Sequence, residues 1–292
     1  MADIERVFAD GVAHHRAGRL ADAAAVYARV LAAAPAHAPA LHALGVIRHQ
    51  QGRHGDAATL IGRAVEIRPD YPEARYNLGL TLFAEQRLGD AISQWTQVAA
   101  ARPDFAAVFA NLGAAYLALA DYAKAEESCR RALAIDSAIA EAHATLGRSF
   151  LARERLTEAE AAIATAARLR SDDAGPLMAY GIVLGQLGRH DDSIAVFERV
   201  LALGPTHAPA RSNILLAMQY RPGVNAASLR AAHAVWERDY GERWRSEWRP
   251  HANERGPERA LRVGLLSPDL NRHPVGFFML GLIQAADRNK LT

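Results

Sequence analysis

The chain has 292 residues, of which 50% are hydrophobic and 23% are charged. This length corresponds to one large domain or two smaller ones, at about 100 to 200 residues per domain. The 34 basic residues nearly balance the 32 acidic ones, which argues against a polyanion-binding arm and so against a nucleic-acid partner. The single cysteine, Cys129, excludes an intramolecular disulfide framework or a cysteine-based zinc cluster.

The sequence shows no sign of membrane insertion or export. No apolar run reaches the roughly 18 residues that suggest a membrane-spanning helix. The first residues, Met1 to Glu5, carry acids where a secretory signal peptide requires positive charge and then an apolar core. A lone cysteine suits a reducing compartment. We therefore expect a cytoplasmic protein, and we expect no metal site because carboxylates and histidines do not cluster with ligand spacing.

The dominant feature of the sequence is an internal repeat of 34 residues. A glycine recurs at this interval without slippage, at Gly11, Gly45, Gly79, Gly113, Gly147 and Gly181. Twelve residues after each glycine stands a small residue, at Ala23, Ala57, Ala91, Ala125, Ala159 and Ser193. Four residues further on stands a bulky one, at Tyr27, Ile61, Trp95, Ile163 and Phe197, with Cys129 as the small exception. Small residues facing bulky ones let two helices approach closely, so each period predicts one helical hairpin.

Residues that end helices lie between these hairpins with the same 34-residue spacing. They are Pro35, Pro69, Pro103 and Pro205, with Ser137 and Ser171 in the two remaining copies. Proline cannot continue a helix, so it separates one hairpin from the next. We predict six full repeats and a partial seventh over residues 4–217. The repeats begin near residues 4, 38, 72, 106, 140 and 174, and the seventh, from residue 208, has Leu215 in place of the glycine.

This pattern resembles the tetratricopeptide repeat in its length and in the positions of glycine, alanine and proline. The resemblance implies an all-α superhelical solenoid in which neighbouring hairpins bury one another's apolar faces. It also implies a concave side lined by the first helix of each hairpin. A protein or an extended peptide is the partner that such a groove suits, so binding is the expected function.

Residues two positions before each glycine, or before Leu215 in the seventh repeat, are expected to line the concave side. The polar ones are Asn77, Asn111, Thr145 and Asn213. An asparagine amide offers a donor and an acceptor, so a row of asparagines suits the backbone of an extended peptide and does not read its side chains. Alternatively, these side chains bond neighbouring backbone within the repeats. The sequence leaves both interpretations open.

Three histidines and the cysteine were considered as further site residues. His42 and His49 lie seven residues apart on one helical face, and His15 occupies in the first repeat the position that His49 occupies in the second, so all three are candidates for the concave side. They would suit a metal or pH-sensing site, although solvated surface histidines are far more common. Cys129 occupies a core position of its repeat. We interpret it as a small buried hydrophobe and not as a nucleophile, since no partner base is suggested nearby.

The repeat pattern stops after Tyr220, and a connector follows. A turn-rich segment at residues 221–225 precedes a helix that we predict from a cap at Ser228 to about Trp248. Aromatic residues recur along it every four positions, at Trp236, Tyr240, Trp244 and Trp248. Such a stripe predicts that this helix docks against a large surface. With the polar linker at residues 250–257, the connector region spans residues 218–258.

Residues 259–292 predict the first β-α unit of a second, α/β domain. An apolar run of strand length at residues 261–267 precedes a loop at residues 268–276 and an apolar, helical stretch from residue 277 to 286. Ligands of open α/β sheets collect at the carboxyl ends of the strands, and His273 lies in the loop that follows this strand. By itself, a loop histidine is weak support for a site.

The repeats, the connector and this last segment together resemble the bacterial O-GlcNAc transferase family, relatives of SPINDLY. The resemblance rests on Leu261-Arg262-Val263-Gly264, Ser267-Pro268-Asp269 and His273-Pro274-Val275-Gly276. It implies a two-lobed, Rossmann-like GT-B glycosyltransferase that moves GlcNAc from UDP-GlcNAc to serine or threonine hydroxyls, while the repeats bind the acceptor. It also implies that His273 and Asp269 belong to the catalytic site. Leu270 departs from the family, which more often has phenylalanine there.

The segment after residue 259 is much shorter than the roughly 100 to 200 residues that each lobe needs. We therefore expect the chain to be an amino-terminal part of such an enzyme, with most of the catalytic region missing, no bound cofactor and no transferase activity of its own. Two alternatives stay open. One is a non-enzymatic tetratricopeptide scaffold that only binds proteins, and the other is a family member that uses a fucosyl or glucosyl donor.

Overall fold

The computed structural model describes residues 2–249, and these residues are helical throughout their regular structure. Contacts divide the chain into two units, residues 1–242 and residues 243–292. The helices are α1 (Ala2–Arg16), α2 (Leu20–Ala33), α3 (Ala38–Gln50), α4 (His54–Ile67), α5 (Pro72–Ala84), α6 (Leu88–Ala101), α7 (Ala106–Ala118), α8 (Tyr122–Ile135), α9 (Ala140–Ala152), α10 (Leu156–Leu169), α11 (Ala174–Gln186), α12 (His190–Leu203), α13 (Ala208–Met218) and α14 (Ala226–Trp236). The expected all-α solenoid is confirmed for this part of the chain.

Each 34-residue period folds as one hairpin, because its glycine lies against the bulky residue of the second helix. A Cβ atom built on any lattice glycine would overlap that neighbour. The pairs are Gly11 with Tyr27, Gly45 with Ile61, Gly79 with Trp95, Gly113 with Cys129, Gly147 with Ile163 and Gly181 with Phe197. The close approach of the two helices therefore requires glycine at these six positions.

The hairpins stack so that one layer of helices lies on the inside of the curve. The first helices of neighbouring repeats touch one another, as α3 does with α5, α7 with α9 and α11 with α13. The second helices instead pack mainly between two first helices, as α4 does between α3 and α5. Since the inner side of a curved stack is the more crowded one, the first helices form the concave layer.

The core runs between these layers. It contains the bulky residues that face the repeat glycines, such as Trp95, and the completely buried Cys129. Burial raises the pKa of the Cys129 thiol to about 12, so the protonated form persists at neutral pH. A thiol that does not ionise is a poor nucleophile, which agrees with the interpretation of Cys129 as a small buried hydrophobe.

The hairpin turns repeat a single backbone geometry. The residue at each turn has a positive φ angle, and in three repeats it is glycine, at Gly18, Gly52 and Gly188. In the other three repeats Gln86, Ala120 and Glu154 adopt the same conformation with φ values of 62°, 57° and 57°. A left-handed conformation costs a residue with a Cβ about 1 kcal/mol. The turn is therefore imposed by the packing of the hairpin and not by glycine alone.

The helix predicted from Ser228 to about Trp248 is wrong in both its cap and its extent. Asn225 is the N-cap, and its side chain accepts a 3.0 Å hydrogen bond from the Ser228 backbone N–H, while the Ser228 hydroxyl accepts one of 3.1 Å from Asn225. This reciprocal capping box makes Ser228 the third helical residue. The α-helix ends at Trp236 and continues as a π-helical turn, Glu237–Gly241, and then a 3₁₀ segment, Glu242–Glu247.

The aromatic stripe divides after the π-helical turn, between Tyr240 and Trp244. Trp236 donates a 3.2 Å hydrogen bond to the Ser212 hydroxyl, and the hydroxyl of the buried Tyr240 donates one of 3.3 Å to the Pro205 carbonyl. These two residues fasten the connector to the last repeat. Trp244 and Trp248 are exposed and belong to the other unit. Trp236 and Tyr240 are therefore the residues of the stripe that bond to the repeats.

Several expectations concern residues that lie outside the described part of the chain. They are the linker at residues 250–257, the strand at residues 261–267, the helical stretch at residues 277–286, and the site residues Asp269 and His273. Among the helices of residues 2–249, none combines the length and the apolar character that crossing a membrane requires.

Candidate functional site

The concave layer is the candidate site, and in the second and third repeats its polar groups bond to one another. The Asn77 amide nitrogen donates a 2.7 Å hydrogen bond to His42 Nε2, and His42 Nδ1 lies 2.9 Å from the Tyr71 hydroxyl. An amide nitrogen only donates, so His42 Nε2 accepts and the ring proton sits on Nδ1. The chain of bonds therefore requires a neutral imidazole.

The environment of His42 keeps that imidazole neutral. Burial is the largest effect and lowers the pKa of His42 to about 4, while the charge of Glu73 raises this pKa and that of His15 lowers it slightly. Burial also lowers the pKa of His49, with a further contribution from His54, whose ring centroid lies 4.9 Å away. Both histidines are uncharged at neutral pH.

The other two histidines on this face likewise contact neighbouring repeats or helices. His49 Nδ1 lies 3.2 Å from the Thr81 hydroxyl, and His15 Nδ1 lies 3.5 Å from the Tyr27 hydroxyl. Within residues 2–249, no group of three or more histidine, cysteine or acidic side chains is arranged to hold a metal ion. These contacts indicate that the histidines support the packing of the first three repeats.

The asparagine row divides into bonded and free members. The Asn111 amide nitrogen donates a 3.0 Å hydrogen bond to the Tyr76 hydroxyl. Like the bond from Asn77 to His42, it reaches back 35 residues, to the side chain three positions before the preceding lattice glycine. Both asparagines bond neighbouring side chains, whereas one of the two sequence interpretations had them bond neighbouring backbone. Thr145 is only 6% exposed, so little of it faces the groove.

Asn213 differs from Asn77 and Asn111 because the residue at the position that pairs with it in the preceding repeat is a poor hydrogen-bond acceptor. The residue 35 positions earlier is Met178, whose thioether is a weak acceptor. Asn213 is half-buried, and its side chain makes no hydrogen bond to any other described residue. Its amide is the part of the predicted row that is available to a ligand.

Asn213 lines a pocket at the carboxyl-terminal end of the concave layer. The pocket measures about 190 Å³ and lies between α11, α12 and α13. Its walls include Ile182, Leu216 and Tyr220, which are 41%, 52% and 64% exposed. The Tyr220 ring stacks on His190 with 5.2 Å between ring centroids. An apolar, open pocket therefore stands beside a free amide.

The pocket exists because Gly185 has no side chain. One turn after the lattice glycine, the other full repeats have a large residue, namely His15, His49, Phe83, Leu117 and Leu151. In the third repeat Phe83 covers Trp95, with 5.9 Å between ring centroids. In the sixth repeat nothing stands at that place, so Phe197 lines the pocket. The sequence signal for the pocket is this glycine one turn after Gly181, at a position where the other full repeats have a large residue.

A family comparison agrees with this architecture. The model of the tetratricopeptide repeat matches residues 8–72, 42–103, 76–138 and 144–208. These matches extend over most of the chain, so the chain belongs to the tetratricopeptide repeat family. No curated protein shows significant similarity to it.

Solved structures show the same fold in proteins of distant sequence. MamA is 23% identical with a TM-score of 0.51, covering 55% of this chain and 94% of its own. PilF of Pseudomonas aeruginosa is 16% identical with a TM-score of 0.62, covering 72% and 95%. A chain of the APC/C hetero-tetramer Cut9–Hcn1 is 15% identical with a TM-score of 0.63, covering 80% and 46%. At these identities the likeness defines the fold alone.

Proposed function

We propose that the concave surface of this protein binds an extended polypeptide. The observation that carries this proposal is the free amide of Asn213 beside exposed apolar walls, on the layer that a stack of helical hairpins leaves open. Stacked repeats provide an extended surface that contacts several residues of a ligand at once.

A matched pair of substitutions tests this proposal. Ala118 ends α7 in the inner layer and Ala134 lies in α8 of the outer layer, and both are exposed. Arginine at Ala118 would occupy the groove with a bulky charged side chain, whereas arginine at Ala134 would not. We expect Ala118→Arg to weaken binding at least about tenfold, the equivalent of about 1.4 kcal/mol, and Ala134→Arg to leave it unchanged.

The measurement is fluorescence anisotropy of the full chain with labelled 16-residue peptides rich in serine, threonine and alanine. Circular dichroism of both variants would verify that the helices are retained. Equal binding by the two variants would place the peptide away from the groove. Failure of the unsubstituted chain to bind any peptide of the series would refute the proposal itself.

We further propose that the protein is the amino-terminal part of an O-GlcNAc transferase-like glycosyltransferase, whose repeats bind the acceptor. The support is the sequence at residues 261–276, which resembles the start of that family's catalytic region. His273 and Asp269 are the residues we assign to its catalytic site by resemblance. UDP-GlcNAc is the proposed donor substrate, and the repeat groove, in which Asn213 has the available amide, is the proposed acceptor site.

The native gene product tests this second proposal. It would be isolated from its own cells with an antibody against the repeats, weighed by intact-mass spectrometry and assayed with UDP-GlcNAc and an acceptor protein. We expect a product larger by several hundred residues, at about 100 to 200 residues per lobe, that transfers GlcNAc and loses turnover on His273→Ala. A product of the present length without transferase activity would favour the binding scaffold. Turnover with a fucosyl or glucosyl donor instead would change the assigned substrate.

A further inference from the structure

We propose that the Gly185 pocket receives one apolar side chain of the bound polypeptide while the Asn213 amide holds the backbone beside it. The Gly185 pocket is the space described above between α11, α12 and α13, whose lining includes Gly185, Ile182, Phe197, Asn213, Leu216 and Tyr220. The inference rests on the proposed binding function and adds a preference to it. The pocket would fix the register of the polypeptide in the groove.

The size of the Gly185 pocket suits a single side chain. Its volume is about 190 Å³, and a protein cavity of about 150 Å³ is large enough to hold benzene. A leucine, isoleucine, methionine or phenylalanine side chain is of this size. A second large side chain would not fit in the same space.

The walls of the Gly185 pocket favour an apolar occupant. No lysine, arginine, aspartate or glutamate is among its lining residues, so a charged side chain would lose water there and gain no ionic partner. Ile182 and Leu216 are both more than 40% exposed. Covering them with an apolar group removes apolar surface from water on both sides, which is favourable by about 25 cal/mol per Å².

The amide of Asn213 indicates that the occupant is a polypeptide. An amide both donates to a carbonyl and accepts from an N–H group, which is the pair that one peptide unit presents. Asn77 and Asn111 bond His42 and Tyr76, but Asn213 has no such bond among the described residues. A purely apolar ligand would fill the pocket and leave this half-buried amide without a partner, at a cost.

The glycine that opens this pocket occurs in the sixth repeat and in none of the other five full repeats, which is why the pocket would set the register. At the corresponding position the other five full repeats have histidine, phenylalanine or leucine. A groove with one such pocket would hold an apolar residue of the polypeptide at one place. The remaining repeats would then contact whichever residues precede and follow it.

The test uses the full chain and four labelled 16-residue peptides that differ only at a central position. The common sequence is built from serine, threonine, alanine and glycine, and the central residue is leucine, phenylalanine, serine or aspartate. By fluorescence anisotropy we expect the leucine and phenylalanine peptides to bind at least about tenfold tighter than the serine peptide, in line with the burial of one such side chain. The aspartate peptide is expected to bind no tighter than the serine peptide.

Gly185→Leu is the variant that closes the pocket. A Cβ at Gly185 would meet only the Ser193 hydroxyl, at an ordinary 3.5 Å, and the leucine reproduces Leu117 and Leu151 of two other repeats. We expect it to reduce the affinity for the leucine peptide to that for the serine peptide. Gly89→Leu, an exposed position in α6 with no atom within 4 Å of the added Cβ, is the matched control and keeps the preference.

Leu216→Asn gives a second variant that does not depend on Gly185, and as a change of an exposed residue it preserves the fold. It should also lower the preference for leucine. The inference is overturned if the peptides bind without a preference for leucine or phenylalanine, or if that preference survives in both folded pocket variants. If none of the four peptides binds, the proposed binding function fails, and the pocket inference fails with it.

Discussion

The third and sixth repeats are built on the same lattice but present different concave surfaces. Each has a glycine against a large aromatic side chain, Gly79 against Trp95 and Gly181 against Phe197. One helical turn later the third repeat has Phe83, whose ring packs against Trp95. The sixth repeat has Gly185 there, which has no side chain to pack against Phe197. The first surface is closed and the second is an open pocket.

The polar groups follow the same division. In the second and third repeats the amide of Asn77 is bonded to a neutral His42 and is not available to a ligand. For Asn213 the residue 35 positions earlier is Met178, and the amide makes no hydrogen bond to a described residue. The comparison teaches that the lattice residues maintain the hairpin, whereas single positions between them decide which part of the groove is able to bind.

The largest expected effect is the acid sensitivity of the closed region. The folded pKa of His42, about 4, lies below the ordinary value of 6.5. The folded state therefore resists protonation that the unfolded chain accepts. The contribution of His42 to the free energy of unfolding should fall as the pH drops from about 6.5 to about 4 and level off below, by up to about 3 kcal/mol at 1.36 kcal/mol per pKa unit. His49 contributes in the same direction.

The check is chemical denaturation of the protein and of His42→Gln from pH 7 to pH 4. We expect the difference in stability between the two to shrink across this range, because only the first carries the buried histidine. In parallel, the ring carbon protons of His42 should titrate in NMR spectra near pH 4. Identical pH slopes for both proteins would contradict this account of His42.

The second prediction compares the same substitution at a closed and an open position. Gly79→Ala would force the new methyl group into Trp95, so we expect a loss of roughly 1–3 kcal/mol of stability by overpacking. Gly185→Ala meets no close contact and removes a helical glycine, so a gain of roughly 0.5–1 kcal/mol is expected. Urea midpoints followed by circular dichroism measure both. Effects of the same sign would refute the distinction between the two glycines.

The third prediction compares a bonded asparagine with a free one. Asn77→Ala leaves His42 Nε2 without its donor, so we expect a loss of about 1 kcal/mol of stability. Asn213→Ala breaks no hydrogen bond to a described residue and should change stability by less than about 0.5 kcal/mol. Its effect should appear instead in peptide affinity, measured by anisotropy with the leucine peptide. An unstable Asn213→Ala protein would show that this amide serves the fold.

The smallest expected effect concerns the charge beside His42. Glu73 raises the pKa of His42 and forms a surface ion pair of 3.1 Å with Arg102. Glu73→Gln should lower the pKa of His42 further, while the stability at pH 7 changes by less than about 1 kcal/mol, as is usual for surface pairs. NMR titration of the His42 ring gives the pKa. An upward shift would mean that Glu73 does not act through its charge.

Much of the fold follows from the sequence because the repeat encodes the same contact many times. Each period predicted one hairpin from its glycine, the small residue after it and the bulky residue that faces the glycine. In the structure the first helices of these hairpins begin at residues 38, 72, 106, 140, 174 and 208. The end of the connector helix did not follow. Its aromatic spacing suggested one long helix, but the capping box at Asn225 and the π-helical turn after Trp236 changed its bounds.

The candidate site was predictable only in part. Asn213 was expected on the concave face because it lies two residues before the site of the repeat glycine. The same rule also selected Asn77 and Asn111, whose amides are bonded, and Thr145, which is buried. The difference depends on the residue 35 positions earlier, in the adjacent repeat. That relationship is tertiary, because it requires knowledge of which side chains meet across two helices.

The sequence by itself determined the repeat, the all-α class and the pairing of each glycine with the bulky residue that faces it, since these depend on contacts within one 34-residue period. Only the tertiary structure decided that His42 is neutral, that Asn213 is free and that Gly185 opens a pocket. These properties arise where side chains of successive repeats meet, and burial and hydrogen bonding at such contacts depend on both partners at once.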